Sequence, residues 1–245
     1  MSRPRRTLGT WRAGRRFRNW KQPTSRTWPD VHKDVAHLTR KLGRWHPDTL
    51  LAHALVSMWL GSEGRHADVL RLAEAEVADR TAEFGADDSG TLRSRRSLTS
   101  ALRGVGDLDG AVAEARAVVE DSVRVLGPDH ADTHYSRANL AQYLAENGEP
   151  AEGVRLLRAL HAESRAFGSK RQGETRSIRH HLVQALEIKG DFQEALDLLD
   201  EEIADEAGTI YGVDEFLGDY RREDVREWRR RLVAKVASGQ RGVGC

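Results

Sequence analysis

Apolar positions along this chain fall at helical spacing. Val31, Val35, Leu38 and Leu42 stand at i, i+4, i+7 and i+11, one stripe of a helix over 29–42. Beyond it, apolar pairs four apart recur at Val56/Leu60, Leu98/Leu102, Leu140/Leu144 and Leu182/Leu186. The second member of each pair returns with a fixed 42-residue period, and Gly64, Gly106, Gly148 and Gly190 keep the same step, as do Thr49, Thr91, Thr133 and Thr175. Between each glycine and the next threonine lies a second apolar set: Leu70/Ala73/Val77, Val112/Ala115/Val119, Val154/Leu157 and Leu196/Leu199/Ile203. Each repeat therefore reads as two helices, the first ended by a glycine that tolerates the left-handed conformation. Ala111, Gly153 and Ala195, with Val69 the bulkier exception, mark one recurrent place where two helices pass closely. A single helix pair is too thin to bury its own apolar face, and a fixed period of this length is the signature of stacked repeats. The pattern predicts an all-α array of antiparallel helix pairs.

The turns between repeats carry the register. Leu126-Gly127-Pro128-Asp129-His130-Ala131-Asp132-Thr133 is echoed at 42–49, more faintly at 84–91, and at 167–175 with one extra residue. Asp48, Asp88, Asp132 and Glu174 are placed to cap, or to face the positive end of, the helix that follows. The frame predicts a leader over 1–28, a half repeat over 29–42, and four repeats starting near 46, 88, 130 and 172, which run the array to 212. A capping helix follows over 213–237, then a disordered tail over 238–245. The cap is marked by Leu232, which stands where the period requires glycine. Val225, Trp228, Leu232 and Val236 keep an apolar stripe there, while Arg222, Arg226, Arg229 and Arg230 face away.

Charge divides the chain. Residues 1–26 hold nine Lys/Arg and no acidic residue, which leaves the rest of a chain of net charge +1 at −8. The leader interleaves Trp11, Phe17 and Trp20 with its basic residues, so residues 3–26 are a candidate contact for nucleic acid or an anionic membrane; the other reading is a solubilising or docking tail. Cys245 is the one cysteine, so no internal disulfide can form. The leader has no apolar core of a secretory signal, and the most apolar run, Leu50–Leu60, is too short to span a bilayer. A cytoplasmic location is expected. The 33 arginines against 6 lysines point to GC-rich coding, as in a high-GC bacterium.

Catalytic signatures are lacking. There is no phosphate-cradling glycine loop and no nucleophile elbow. His130 and His134 lie four apart, and His180 and His181 are adjacent, but a zinc site needs a third ligand; no metal and no cofactor are expected. The acidic run Asp200-Glu201-Glu202, with Asp205 and Glu206, is spread around a helix as a solvated surface is.

The 42-residue period, the Leu126–Thr133 turn and Asn139-Leu140-Ala141 resemble the tetratricopeptide repeat, in its longer kinesin-light-chain-like form, over about residues 29–237. The resemblance implies a right-handed superhelical solenoid whose first helices line a concave groove that holds a peptide or a partner helix. Carried over by position, the groove side is Leu51, Ala54 and Met58; Arg93, Arg96, Ser100 and Arg103; Tyr135, Ala138, Gln142 and Glu146; and Ser177, His180, Gln184 and Glu187. The position that often holds a backbone-clamping asparagine in this family reads Leu55, Ser97, Asn139 and His181, so Asn139 alone matches. At 100° per residue, Arg93, Arg96, Ser100 and Arg103 span about 80° of helix, apart from the arc of Leu98, Leu102 and Val105. Three guanidinium forks on one face suit carboxylates or phosphates, which predicts an acidic or C-terminal ligand segment. The expected function is a non-catalytic adaptor that binds a protein segment. Two alternatives are a regulator whose basic leader contacts nucleic acid or membrane, and an enzyme or accessory subunit that uses the groove to hold a substrate.

Overall fold

In the computed structural model, the backbone is described for residues 28–166, 168, 172–207 and 215–239, and side chains for 35–166, 168, 172–205 and 225–239. The leader aromatics Trp11, Phe17 and Trp20, most of the expected tail and Cys245 lie outside the described residues. Among the described residues there are ten helices and no strand. The helices are α1 (Trp28–Leu42), α2 (Pro47–Ser62), α3 (His66–Phe84), α4 (Ser89–Gly104), α5 (Leu108–Leu126), α6 (Ala131–Glu146), α7 (Pro150–Ala166), α8 (Gln172–Lys189), α9 (Phe192–Ala207) and α10 (Glu215–Ala237). The all-α architecture expected from the period is the one found. Helices α2, α4, α6 and α8 are the first of each pair, and α3, α5, α7 and α9 the second.

Two of the periodic residue types have one local cause. The N–H groups of Arg65, Asp107, Glu149 and Asp191 reach back to the carbonyls of Leu60, Leu102, Leu144 and Leu186 at 2.9–3.0 Å. Between each donor and its leucine stands the glycine at 64, 106, 148 or 190, with φ from +71° to +91°. This is the helix stop in which glycine takes the left-handed conformation. The leucine and the glycine therefore share a period because they are the two ends of one hydrogen-bonded turn. Glycines with positive φ also end α1 and the second helices, at 43, 85, 127 and 168, so every helix from α1 to α8 stops on one, close to half a period from the next.

The threonines act at the other end. Thr133 donates its hydroxyl to the carbonyls of Gly127 (2.8 Å) and Ser122 (3.3 Å), and Thr175 donates to that of Ser164 at 3.2 Å. Each ties the start of a first helix to the end of the helix before it. Both roles expected of the acidic residues, capping a helix and facing its positive end, occur. Asp88 accepts the Thr91 N–H at 3.0 Å, but α2 and α6 are capped by His46 and His130, whose Nδ1 atoms accept the N–H of Asp48 and Asp132 at 3.2 and 3.1 Å. Asp48 and Asp132 sit inside the first turn, facing the positive helix end.

The chain divides into two compact units, 1–72 and 73–245. In the first, α1 packs on α2 through Val35, Leu38, Ala52, Val56 and Leu60, with Leu42, Leu55, Trp59, Val69 and Leu72 around them. In the second, one large apolar cluster runs from Ala138, Ala141 and Ala145 on α6 through Leu157, Ile178, Leu182, Leu186 and Leu199 to Val225, Trp228 and Leu232 on α10. Fully buried leucines of this kind contribute on the order of 2 kcal/mol each. A separate, smaller cluster joins α4, α5 and α6 through Leu102, Ala111, Ala115 and Tyr143. The close helix passage expected at Gly153 is present: a Cβ there would press into the Ala141 carbonyl oxygen and lie 2.8 Å from the Ala145 Cβ. Leu98 and Leu102, by contrast, are only half-buried, and α3 has no buried residue.

Candidate functional site

The predicted site residues lie on α4, α6 and α8, within the 73–245 unit. Ser97, Asn139 and His181 occupy one register position on the three helices, and Ser100, Gln142 and Gln184 another. The structure brings most of them into a single polar network. Arg96 donates to Asp132 Oδ1 at 3.0 Å and lies over the Tyr135 ring, 5.3 Å from its centroid. Ser100 shares a 2.9 Å hydrogen bond with the Tyr143 hydroxyl. Arg103 forms a two-pronged ion pair with Glu146, one prong at 2.7 Å. That bond raises the Arg103 guanidinium above its already high ordinary pKa, against the opposing effect of burial.

From Glu146 the network continues to α8. Gln142 donates its amide both to Glu146 Oε1 (2.9 Å) and to Gln184 Oε1 (2.8 Å). His181 donates from Nδ1 to the Ser177 carbonyl at 2.7 Å. Burial holds its imidazole below the ordinary range, helped by the charges of His180 and Arg103 and opposed by that Ser177 bond and by Glu146. His180 directs Nε2 at the Glu202 carboxylate (2.9 Å), which also faces Arg176 at 3.3 Å. The His180 ring meets Trp228 edge-on at 5.9 Å, and Trp228 donates its indole N–H to Glu187 at 2.9 Å. Burial works against the ionisation of Glu187, but the bonds from Lys235 and Trp228 outweigh it and hold the carboxyl below its ordinary value.

These contacts refine the expectation of three available guanidiniums. Arg93 is exposed and has no ion-pair partner among the described residues, whereas Arg96 and Arg103 are already held by carboxylates of α6. Gln142 is buried, at 6% exposure, and works as an internal bridge, and Ala138 is buried completely. Ser97, Ser100 and Gln184 are exposed, and Tyr135, Asn139, Glu146, His180 and His181 are half-buried. In the other unit, Leu51, Ala54 and Met58 of α2 are exposed, with Met58 at 65%.

Two features escape the sequence reading. Tyr143 stands in the register of Ala101 and Ala185, so it looks like a core position; its length and hydroxyl let it cross to α4 instead. Arg95, Arg137 and Arg179 stand one period apart, and each faces a carboxylate on the second helix of its own pair: Asp121 at 2.6 Å, Glu163 at 4.0 Å and Asp205 at 3.1 Å. That repeated clamp is visible in the periodic frame once arginine and acid are aligned together. No group of three or more His, Cys, Asp or Glu side chains that could hold a metal occurs among the described residues. No described helix is long and apolar enough to cross a membrane.

Residues 91–132, a span of one period, match the tetratricopeptide repeat family profile. No curated protein matches the chain. Among solved structures, the chain is similar to the nearly identical tetratricopeptide-like repeats of a Podosopora anserina kinesin light chain, at 23% identity and TM-score 0.55, covering 81% of this chain and 100% of that one. A variant of the same protein is similar at 21% identity and TM-score 0.55, covering 86% of this chain and 96% of that one. Residues 91–132 thus match one tetratricopeptide repeat, and the fold of the chain is similar to that of the kinesin-light-chain-like repeats.

Proposed function

We propose that this protein is a non-catalytic interaction module that binds a protein or peptide segment along the face formed by α4, α6 and α8. The observation that carries this reading is the register of that face. Ser97, Asn139 and His181 repeat with the period and present hydroxyl, amide and imidazole groups on successive helices, with Ser100 and Gln184 exposed beside them. Such groups can hydrogen-bond an extended backbone without regard to its side chains, as strand-like ligands are commonly held. The uncompensated Arg93 beside them favours an acidic residue or a terminal carboxylate in the ligand. The tetratricopeptide repeat is itself a scaffold for protein contacts, which supports the same reading.

The experiment compares proteins retained from the native host by the full chain and by a variant carrying Arg93→Ala and Asn139→Ala. Neither side chain is buried, so the fold should persist, as circular dichroism will check. A partner retained by the parent and lost from the variant is the expected result. Equal retention by both would place the ligand elsewhere.

A further inference from the structure

The first helices of successive repeats meet in two different ways. Helices α6 and α8 pack closely, and Ala138, Ala141 and Ala145 share one apolar cluster with Ile178, Leu182 and Val183. Helices α4 and α6 approach at few places. Long polar side chains cross that gap instead: Arg96 to Asp132, Arg103 to Glu146, and Tyr143 to Ser100 and Thr99.

We propose that the α4–α6 seam is a latch, held closed by the Arg96–Asp132 and Arg103–Glu146 pairs and opened when a competing anion takes over the two arginines. Both carboxylates have a second hold within α6, so neither is orphaned when its arginine leaves. Asp132 lies in the first turn of α6, where the positive helix end stabilises it, and Glu146 keeps the Gln142 amide at 2.9 Å. Each arginine is partly in contact with water, at 22% and 44% side-chain exposure, so salt and an incoming anion can reach it. The exposed Arg93 stands one turn from Arg96 on the same helix and offers an incoming anion its first contact. Helix α8 has no such freedom from α6, because the apolar cluster and the buried His134–Glu174 pair join them.

The latch itself needs no ligand to be tested; only its operation by an acidic segment rests on the function proposed above. The full chain, with Cys245→Ser, carries spin labels at Ser97→Cys and Asn139→Cys to report α4–α6. A second version carries them at Asn139→Cys and His181→Cys to report α6–α8 in the same register. Raising sodium chloride from about 0.05 M to about 1 M shrinks the screening length to roughly 3 Å. The expected result is a longer α4–α6 distance, its population rising about threefold for each pair relieved, with the α6–α8 distance unchanged. Glu146→Gln, which relieves one of the two pairs, should raise the longer-distance population about threefold at low salt, with unchanged helicity. Two seams that both stay fixed, or that lengthen together, would overturn the latch. A hexaglutamate peptide at low salt is the separate arm. If salt and Glu146→Gln open the seam but the peptide does not, the latch stands and the acidic ligand falls.

Discussion

The α4–α6 and α6–α8 seams are built from equivalent positions of adjacent repeats, yet they are held by different forces. Where α6 faces α8, small alanines let the backbones approach and apolar side chains fill the space, so the contact is insensitive to salt. Where α6 faces α4, the positions equivalent to those alanines hold Arg96, Thr99 and Arg103, and the helices are spanned by charge and one phenol. The period fixes where helices begin and end, but each seam is decided by which side chain occupies a position inside the period. A repeat array can therefore be uniform in architecture and uneven in stiffness.

The largest test of this contrast is truncation in the apolar seam. Leu182 is 2% exposed within the large apolar cluster, and Leu182→Ala should cost about 2–5 kcal/mol by urea unfolding through the cavity it leaves. Tyr143→Phe, on the other seam, removes one hydroxyl that bonds Ser100 and Thr99 and leaves the ring in its small cluster. Its cost should be about 0.5–1.5 kcal/mol in the same titration. Equal costs for the two substitutions would contradict the division between an apolar and a polar seam.

The architecture is legible in the sequence because its signals are local. Leucine, glycine and threonine recur in step because a helix stop and a turn need those residue types at fixed offsets, whatever lies around them. The site is legible only in outline. Arg93, Arg96 and Arg103 can be placed on one face by helical geometry alone, but Asp132 and Glu146, which hold Arg96 and Arg103, are 36 and 43 residues away from them on another helix. Whether a guanidinium is available depends on that distance in space, which periodicity does not contain. Gln142 illustrates the same limit, being at a groove position and yet buried between Glu146 and Gln184.

Acid should separate the two sides of α6 in the sense opposite to salt. His161, on α7, occupies the register of Val77, Val119 and Ile203 and is buried. Burial holds its imidazole below the ordinary value of 6.5, and the charges of Arg179 and Arg165 push the same way, against Glu201. Because the folded pKa is depressed, the unfolded chain binds the proton first. The contribution of neutral His161 is therefore complete above pH about 6.5 and is lost as pH falls through that value toward the folded pKa. His161→Val should flatten the decline in urea midpoint below pH about 6.5 and leave the α4–α6 label distance unchanged. An unaltered decline would mean that another group carries it.

The smallest expected effect sharpens what makes an ion pair matter here. Arg124 makes a two-pronged pair with Asp87 at 2.7 and 3.0 Å, as well formed as the Arg103–Glu146 pair, and it also reaches Asp121 on its own helix. All of these groups lie in solvent or close to it, and Asp87 precedes α4 in a turn that Asp88 already caps. Asp87→Asn leaves Arg124 its second carboxylate and removes nothing that holds α4 to α6. The urea midpoint and the Ser97–Asn139 label distance should both stay within error of the parent. If Asp87→Asn lengthened that distance as Glu146→Gln is expected to, the seam would be responding to overall charge. Only a silent Asp87→Asn beside an active Glu146→Gln assigns the closure to the pairs that cross the gap.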